Sequence, residues 1–174
     1  KYPVHVATQP EQILLLDGKL GSFADLEDYQ KPDATITLIP QPTKEWWQGQ
    51  GSIHQTDQEI AQAMSAVFMG FGGMAELFRA PHILVGHFTV KGATTSAGQV
   101  MIGREIEVSR EQIDYARADL VCLGHIHKAQ RINGSDIFYS GSVYRENWGE
   151  QEEKGLFLHD VYLDKTETSG IGHI

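Results

Sequence analysis

The sequence is poor in cysteine and in long apolar runs, and each shortage excludes a class of protein. Cys122 is the only cysteine among the 174 residues, so no disulfide can form within the chain, and a buried structural thiol is its expected role. No apolar run approaches the ~20 residues that are needed to cross a bilayer. We therefore expect a protein that does not enter a membrane, and a reducing cytoplasmic location fits the single thiol.

Positive charge is also scarce. The chain has 14 lysines and arginines against 23 aspartates and glutamates, which gives a formal net charge of −9. This balance argues against a protein that coats nucleic acid by bulk electrostatics. It does not exclude a nuclease, because an active site needs only local positive charge. Lys91, Lys128 and Arg131 follow the two histidine motifs described below and are candidate substrate contacts, with solvated surface charge as the alternative interpretation.

The remaining composition is that of an ordinary globular domain, with 41% hydrophobic and 21% charged residues. The length predicts a single domain over residues 1–174. Strands are predicted at 4–6, 13–16, 34–39, 83–85, 120–123, 129–132, 137–140 and 156–163. Two helices are predicted, over 56–80 with a kink or break at its glycines and from Ser109 to about residue 118, each opened by a capping box. The polar tail is expected to be frayed, and the fold class is α+β.

Two buried runs of the same design end in glycine and histidine. Leu120 to Leu123 is followed by Gly-His-Ile-His, which places His125 and His127 just after a strand, and Ile-Leu-Val-Gly precedes His87 in the same way. A neutral imidazole is the commonest side-chain metal ligand near neutral pH. Two nearby histidines alone are more often surface or core residues, but the repeated design favours a metal site on His87, His125 and His127.

The other histidines are interpreted as surface or structural residues, because single histidines usually have no site role. They are His5, His54, His82, His159 and His173. Ser140 and Ser142 lack the Gly-x-Ser-x-Gly surroundings of a nucleophile elbow. We therefore assign both serines to a turn that ends a strand.

The motif order resembles that of the calcineurin-like metallophosphoesterases, and most closely the SbcD-type DNA repair exonucleases. Gly-His87 is followed by a helix, Gly-His-Ile-His127, a Ser-Gly-Ser142 strand end, Glu146 and Lys-Gly-Leu-Phe-Leu158. The resemblance runs from about residue 34 to residue 163. It implies a β-sandwich flanked by helices, the second half of a four-layer α/β/β/α fold, with two divalent metals, commonly manganese, at strand ends.

The resemblance also implies residue roles and partners. His87 and His125 resemble the ligands of one metal, and His127 resembles a ligand of the other. Imidazole alone does not choose between manganese, iron and zinc. The implied activity is metal-dependent exonuclease or endonuclease cleavage of DNA, with an SbcC-like ATP-binding-cassette ATPase as partner, and a homodimer is left open.

The first half of the family's site has no counterpart in this chain. The sequence contains no Asp-x-His, no Gly-Asp and no Asn-His, and its only asparagines are Asn133 and Asn147. The bridging aspartate, the asparagine ligand and the acid–base histidine are therefore missing, and we expect the C-terminal half of such an enzyme, inactive by itself. Two alternatives stay open: another phosphodiesterase of the superfamily, acting on cyclic nucleotides or small molecules, and a non-catalytic protein-interaction module.

Overall fold

The computed structural model describes residues 4–27, 30–42, 57–97, 99, 106–163 and 165–173. Its strands are β1 (Glu11–Leu16), β2 (Lys19–Gly21), β3 (Ala34–Ile39), β4 (His82–His87), β5 (Thr89–Val90), β6 (Glu107–Val108), β7 (Leu120–Gly124), β8 (Gln130–Arg131), β9 (Ile137–Tyr139), β10 (Gly155–Tyr162) and β11 (Lys165–His173). Its helices are α1 (Asp57–Glu76), α2 (Arg110–Asp114) and a single 3₁₀ turn (Phe23–Asp25). Within these residues, no helix is both long and apolar enough to cross a membrane. The predicted α+β class is confirmed.

A mixed seven-stranded sheet, in the order β2-β1-β3-β4-β7-β9-β8, forms the centre of the fold. β3, β4, β7 and β9 are parallel to one another, whereas β1, β2 and β8 join antiparallel. Helix α1 connects β3 to β4, and the segment with α2 connects β4 to β7. Parallel strands need such crossovers. The carboxyl ends of β4, β7 and β9 consequently lie at the same edge of the sheet.

The main core lies between this sheet and helix α1. Ile60, Met64 and Phe68 recur every four residues, so they form one face of the helix, and all three are buried. They belong to one apolar cluster with Leu84 of β4 and Val121 of β7. Burying such a side chain stabilises the fold by about 1.5–3 kcal/mol. This layer therefore holds β4 and β7 in place beneath the histidines that follow them.

The opposite face of the sheet is covered at its β9 end by the β10–β11 hairpin. Ile137 and Tyr139 of β9 belong to the main core, and Phe138 between them lies on the opposite face. The ring centroid of Phe138 lies 5.4 Å from that of Phe157 and 4.6 Å from that of His159. Farther along the sheet, Val85 of β4 is 41% exposed.

Burial raises the pKa of the Cys122 thiol, which agrees with the structural role predicted for it.

Helix α1 runs from Asp57 to Glu76 without a break at its glycines, so the alternative of two helices that meet there is wrong. A Cβ atom on Gly72 would lie 2.6 Å from the carbonyl oxygen of Tyr115, so the glycine permits close packing against the end of α2 rather than interrupting the helix.

The predicted Ser109 capping box is confirmed, since Ser109 N donates to Gln112 Oε1 at 2.9 Å. Helix α2 ends at Asp114, four residues earlier than expected. The predicted cap at Thr56 lies outside the described residues, as does His54.

Two predictions at the chain ends are wrong. Residues 4–6 form no strand, because no strand in the described part of the chain pairs with their backbone. Val4 and Val6 are 84% and 73% exposed. The tail is not frayed: β11 pairs antiparallel with β10 over most of its length. The β-branched Thr168 suits a strand, and β10 supplies the hydrogen-bonding partner that a polar tail needs.

Candidate functional site

His87 and His125 come together at the carboxyl edge of the sheet. β4 ends at His87, β7 ends at Gly124, and the parallel register sets His87 opposite Gly124. The ring centroids of His87 and His125 are 5.2 Å apart, and the ring planes are inclined at 67°. His87 is exposed and His125 is half-buried. The structure thus brings together two of the three histidines that the sequence singled out.

Gly124 makes this approach possible. A Cβ atom built on Gly124 would lie only 2.8 Å from Nδ1 of His87. Any larger residue would therefore push the imidazole of His87 away from its place beside His125. The glycine that ends the apolar run is therefore required by the neighbouring side chain and not by its own φ angle, which is not positive.

His125 has a strained backbone that the side chain of Gln99 stabilises. The φ angle of His125 is 86°, which is unusual for a residue other than glycine. Gln99 Nε2 donates to the His125 carbonyl oxygen at 2.8 Å, and the His127 backbone N–H donates to Gln99 Oε1 at 3.1 Å. Strained residues cluster at functional sites. Sequence reasoning missed Gln99, because a glutamine in a loop carries no pattern that would mark it.

His127 faces a buried carboxylate. Its Nδ1 lies 3.2 Å from Oε1 of Glu150. The side chain of His127 is 32% exposed, and that of Glu150 is fully buried. His127 is therefore bonded to a residue of a later loop, although it follows the same sheet edge as His87 and His125.

Glu150 forms an ion pair with Lys154, and Lys154 ties together the segments around it. Lys154 Nζ lies 2.7 Å from Glu150 Oε2, and it donates to the carbonyl oxygen of His127 at 3.1 Å and to Ser142 Oγ at 2.9 Å. The ammonium of Lys154, followed by the His127 imidazole, holds the pKa of the Glu150 carboxyl below its ordinary value.

The sequence predicts only a turn at Ser142. Its backbone N–H also donates to the carbonyl oxygen of His127 at 3.1 Å.

No clear signal in the sequence marks Glu150, and Lys154 is marked only as the first residue of the Lys-Gly-Leu-Phe-Leu158 motif. Glu150 lies in a run with Glu152 and Glu153 that is typical of an exposed loop. Glu152 also has a lowered pKa, chiefly because the hydroxyl of Ser96 donates to it. Only the fold distinguishes the buried glutamate of this run from its neighbours.

The donors described do not make a complete metal site. Among the described residues, no group of three or more histidine, cysteine, aspartate and glutamate side chains is arranged to hold a metal ion. His87 and His125 supply two imidazoles, whereas a stable site for a divalent ion has about four to six ligands. Further donors would have to come from outside the described part of the chain. The site on His87, His125 and His127 stays a prediction.

The three candidate basic residues differ in their surroundings. Lys91 is exposed just after β5, and Lys128 is half-buried directly after His127. Arg131 donates to Asp136 Oδ1 at 2.9 Å and lies 5.3 Å from the centroid of the Phe138 ring. Arg131 is therefore engaged within its own hairpin.

Comparison with known proteins gives one informative relative. No family model matches the chain. The chain is 33% identical over 81 residues to the SbcD component of the nuclease SbcCD from Staphylococcus epidermidis, a match that covers 46% of this chain and 22% of the relative. The matched region is thus about a fifth of the relative's length. The chain is similar to a component of a nuclease, which agrees with the SbcD-like relationship that the motifs indicated.

Proposed function

We propose that this chain supplies part of the metal centre of a nuclease of the SbcD type, which hydrolyses DNA phosphodiesters. The observation that carries the proposal is the pairing of His87 and His125 at the carboxyl edge of parallel strands, with ring centroids 5.2 Å apart. Ligands of sheets with this topology bind outside the carboxyl ends of the strands. The similarity to a nuclease component supports the class of reaction.

In this proposal His87 and His125 hold one divalent ion, His127 holds the second through Nε2, and manganese is the metal. The remaining ligands, including a bridging carboxylate, come from outside the described residues. When bound, the two ions polarise the phosphodiester and activate a water for in-line attack. The chain's own contribution is to fix the imidazoles: Gly124 leaves room for His87, and Gln99 holds the backbone of His125.

DNA would meet local rather than overall positive charge. The net charge of −9 repels a polyanion at long range. Lys91 and Lys128 follow the two site strands and would contact phosphates. The name of the relative describes an SbcCD assembly, so we propose an SbcC-like ATPase as the partner.

One observation favours a second function, that of a non-catalytic protein-interaction module. The described residues contain no group of three or more potential metal ligands, and a chain that had lost its site would show the same feature. The two functions differ in what a divalent metal does. A nuclease binds it and cleaves DNA, whereas an interaction module does neither.

The test is manganese-dependent cleavage of double-stranded DNA by the full-length protein and its SbcC-like partner. His125→Ala should lower kcat by about a thousandfold, equivalent to ~4 kcal/mol of transition-state stabilisation, because one metal loses a ligand. His5→Ala is the matched control, since His5 is exposed and its side chain contacts Glu11 of β1, which is separated from β4 by β3. Its activity should equal that of the wild type.

The same assay separates the alternatives. Turnover of cyclic nucleotides or bis-p-nitrophenyl phosphate without cleavage of DNA would assign the site to a small-molecule phosphodiesterase. If the wild type neither binds manganese nor cleaves any of these substrates, the result would favour the non-catalytic interaction module over both enzymes. Full activity of His125→Ala would refute the assignment of His125 as a ligand.

A further inference from the structure

We propose that Glu150 is a positioning residue, which fixes the His127 imidazole as the Nδ1–H tautomer so that an unprotonated Nε2 faces the site edge. The inference deepens the proposed function, because in it the group that binds Nε2 is a metal ion. It begins from the contact of 3.2 Å between His127 Nδ1 and Glu150 Oε1.

The direction of this hydrogen bond follows from the chemistry of its two partners. An ionised carboxylate can only accept hydrogen bonds. Glu150 is paired with the Lys154 ammonium at 2.7 Å, so it is ionised and His127 Nδ1 must donate. A neutral imidazole carries a single ring proton, and its other nitrogen, Nε2, then keeps a free lone pair. That lone pair is the one that coordinates a metal.

Glu150 is held more firmly than the contact with His127 alone would require. Its Oε1 also accepts from Asn147 Nδ2 at 3.1 Å, and its Oε2 accepts from the Glu146 backbone N–H at 3.4 Å as well as from Lys154. A buried charge is costly unless it is paired and hydrogen-bonded. These partners keep the carboxylate in one orientation, and a fixed acceptor is what a fixed imidazole needs.

The backbone beneath the imidazole is fixed by the same group of residues. Lys154 and the backbone N–H of Ser142 both donate to the carbonyl oxygen of His127, while Gln99 accepts from its N–H. Both the ring and the main chain of His127 are therefore positioned by hydrogen bonds. Groups that orient a ligand in this way commonly change metal affinity by about 10–100-fold when they are removed.

The first measurement is the tautomer of His127 in the metal-free protein, read from long-range ¹H–¹⁵N couplings of the imidazole ring at about pH 8, where an ordinary histidine is neutral. The signals are assigned by their loss in His127→Gln. The wild type should show the Nδ1–H form. A wild type in the Nε2–H form would overturn the proposal without any assay of activity.

Variants separate positioning from stability. Glu150→Gln keeps an acceptor oxygen and should keep the Nδ1–H form, whereas Glu150→Met removes the acceptor and should release the ring to the Nε2–H form. Because Glu150→Met leaves Lys154 without its buried partner, the double variant Glu150→Met/Lys154→Met removes the ion pair as a whole and should give the same change of tautomer. An unchanged tautomer in the folded double variant would contradict the proposal.

Metal affinity provides the second readout. Manganese titration of the full-length protein by calorimetry should show a loss of about 10–100-fold for the methionine variants and a smaller loss for Glu150→Gln. Glu146→Gln is the matched control: its side chain is exposed on the same loop and should change neither the tautomer nor the affinity. If the tautomers behave as expected but no variant or wild type binds metal, the proposed function fails and the positioning of His127 stands.

Discussion

Strand β4 carries a histidine at each end, and the two have opposite surroundings. His82, at the amino end, is 3% exposed, its Nε2 lies 2.8 Å from Thr37 Oγ1, and its backbone N–H donates to Asp119 at 2.8 Å. His87, at the carboxyl end, is exposed and lies beside His125. Five residues separate two identical side chains, of which one is buried and the other is exposed.

The difference shows that position in the sheet, and not residue type, distinguishes the candidate site. The Thr37 hydroxyl of β3 and the carboxylate of Asp119, which directly precedes β7, both bind His82. The segments that follow β4, β7 and β9 meet at the carboxyl edge, and the side chain of His87 is exposed there. Parallel sheets place ligands at this edge, so the two histidines should respond differently to the same substitution.

The largest expected effect is the loss of function in His87→Ala. We expect kcat for manganese-dependent DNA cleavage to fall by about a hundredfold to a thousandfold, because one metal loses a ligand. The free energy of unfolding should change by no more than about 0.5 kcal/mol, since the side chain is exposed. Kinetics and urea denaturation of the same preparation test both parts. A strongly destabilised His87→Ala would remove the contrast with His82.

The strands that carry the site were predictable because buried parallel strands form continuous apolar runs. Residues 83–85 and 120–123 are such runs, each followed by glycine and histidine, and the structure places them side by side. The antiparallel tail was not predictable, because β11 is polar and its stability depends on the partner strand β10.

The surroundings of His127 could not be predicted from the sequence either. Its contacts with Gln99 and Glu150 join residues that lie 28 and 23 positions away along the chain. Neither partner belongs to a periodic pattern or a spacing motif. Hydrogen bonds over such separations exist only once the fold has brought the loops together, so local sequence signals do not reveal them.

A smaller effect, and one on stability, is expected for His82→Ala. Removing a buried imidazole leaves a cavity and deprives the Thr37 hydroxyl of one of its two partners, the other being Gln12, so the free energy of unfolding should fall by about 2–3 kcal/mol. DNA cleavage per folded molecule should be unchanged, because His82 lies at the edge opposite the site. Urea denaturation measures the loss, with the exposed His5→Ala as control. A loss of activity without a loss of stability would mean that His82 communicates with the site.

The smallest expected effect is a loss of stability in mild acid that depends on His82. Burial is the main cause of its lowered pKa, although neighbouring carbonyl oxygens and Asp119 partly oppose the shift. The unfolded chain takes up this proton below about pH 6.5, whereas the folded protein resists it, so the unfolded state binds more protons in that range. Stability from His82 is therefore fully present above about pH 6.5 and declines as the pH falls towards the lowered pKa of the folded protein.

For one proton the slope cannot exceed about 1.4 kcal/mol per pH unit. Urea denaturation of the wild type and of His82→Ala between about pH 5 and pH 7.5 isolates this contribution, because the other titrating groups are common to both proteins. The unfolding free energy of the wild type should fall more steeply below about pH 6.5. Parallel curves for the wild type and His82→Ala would show that His82 is protonated as readily in the folded chain as in the unfolded one.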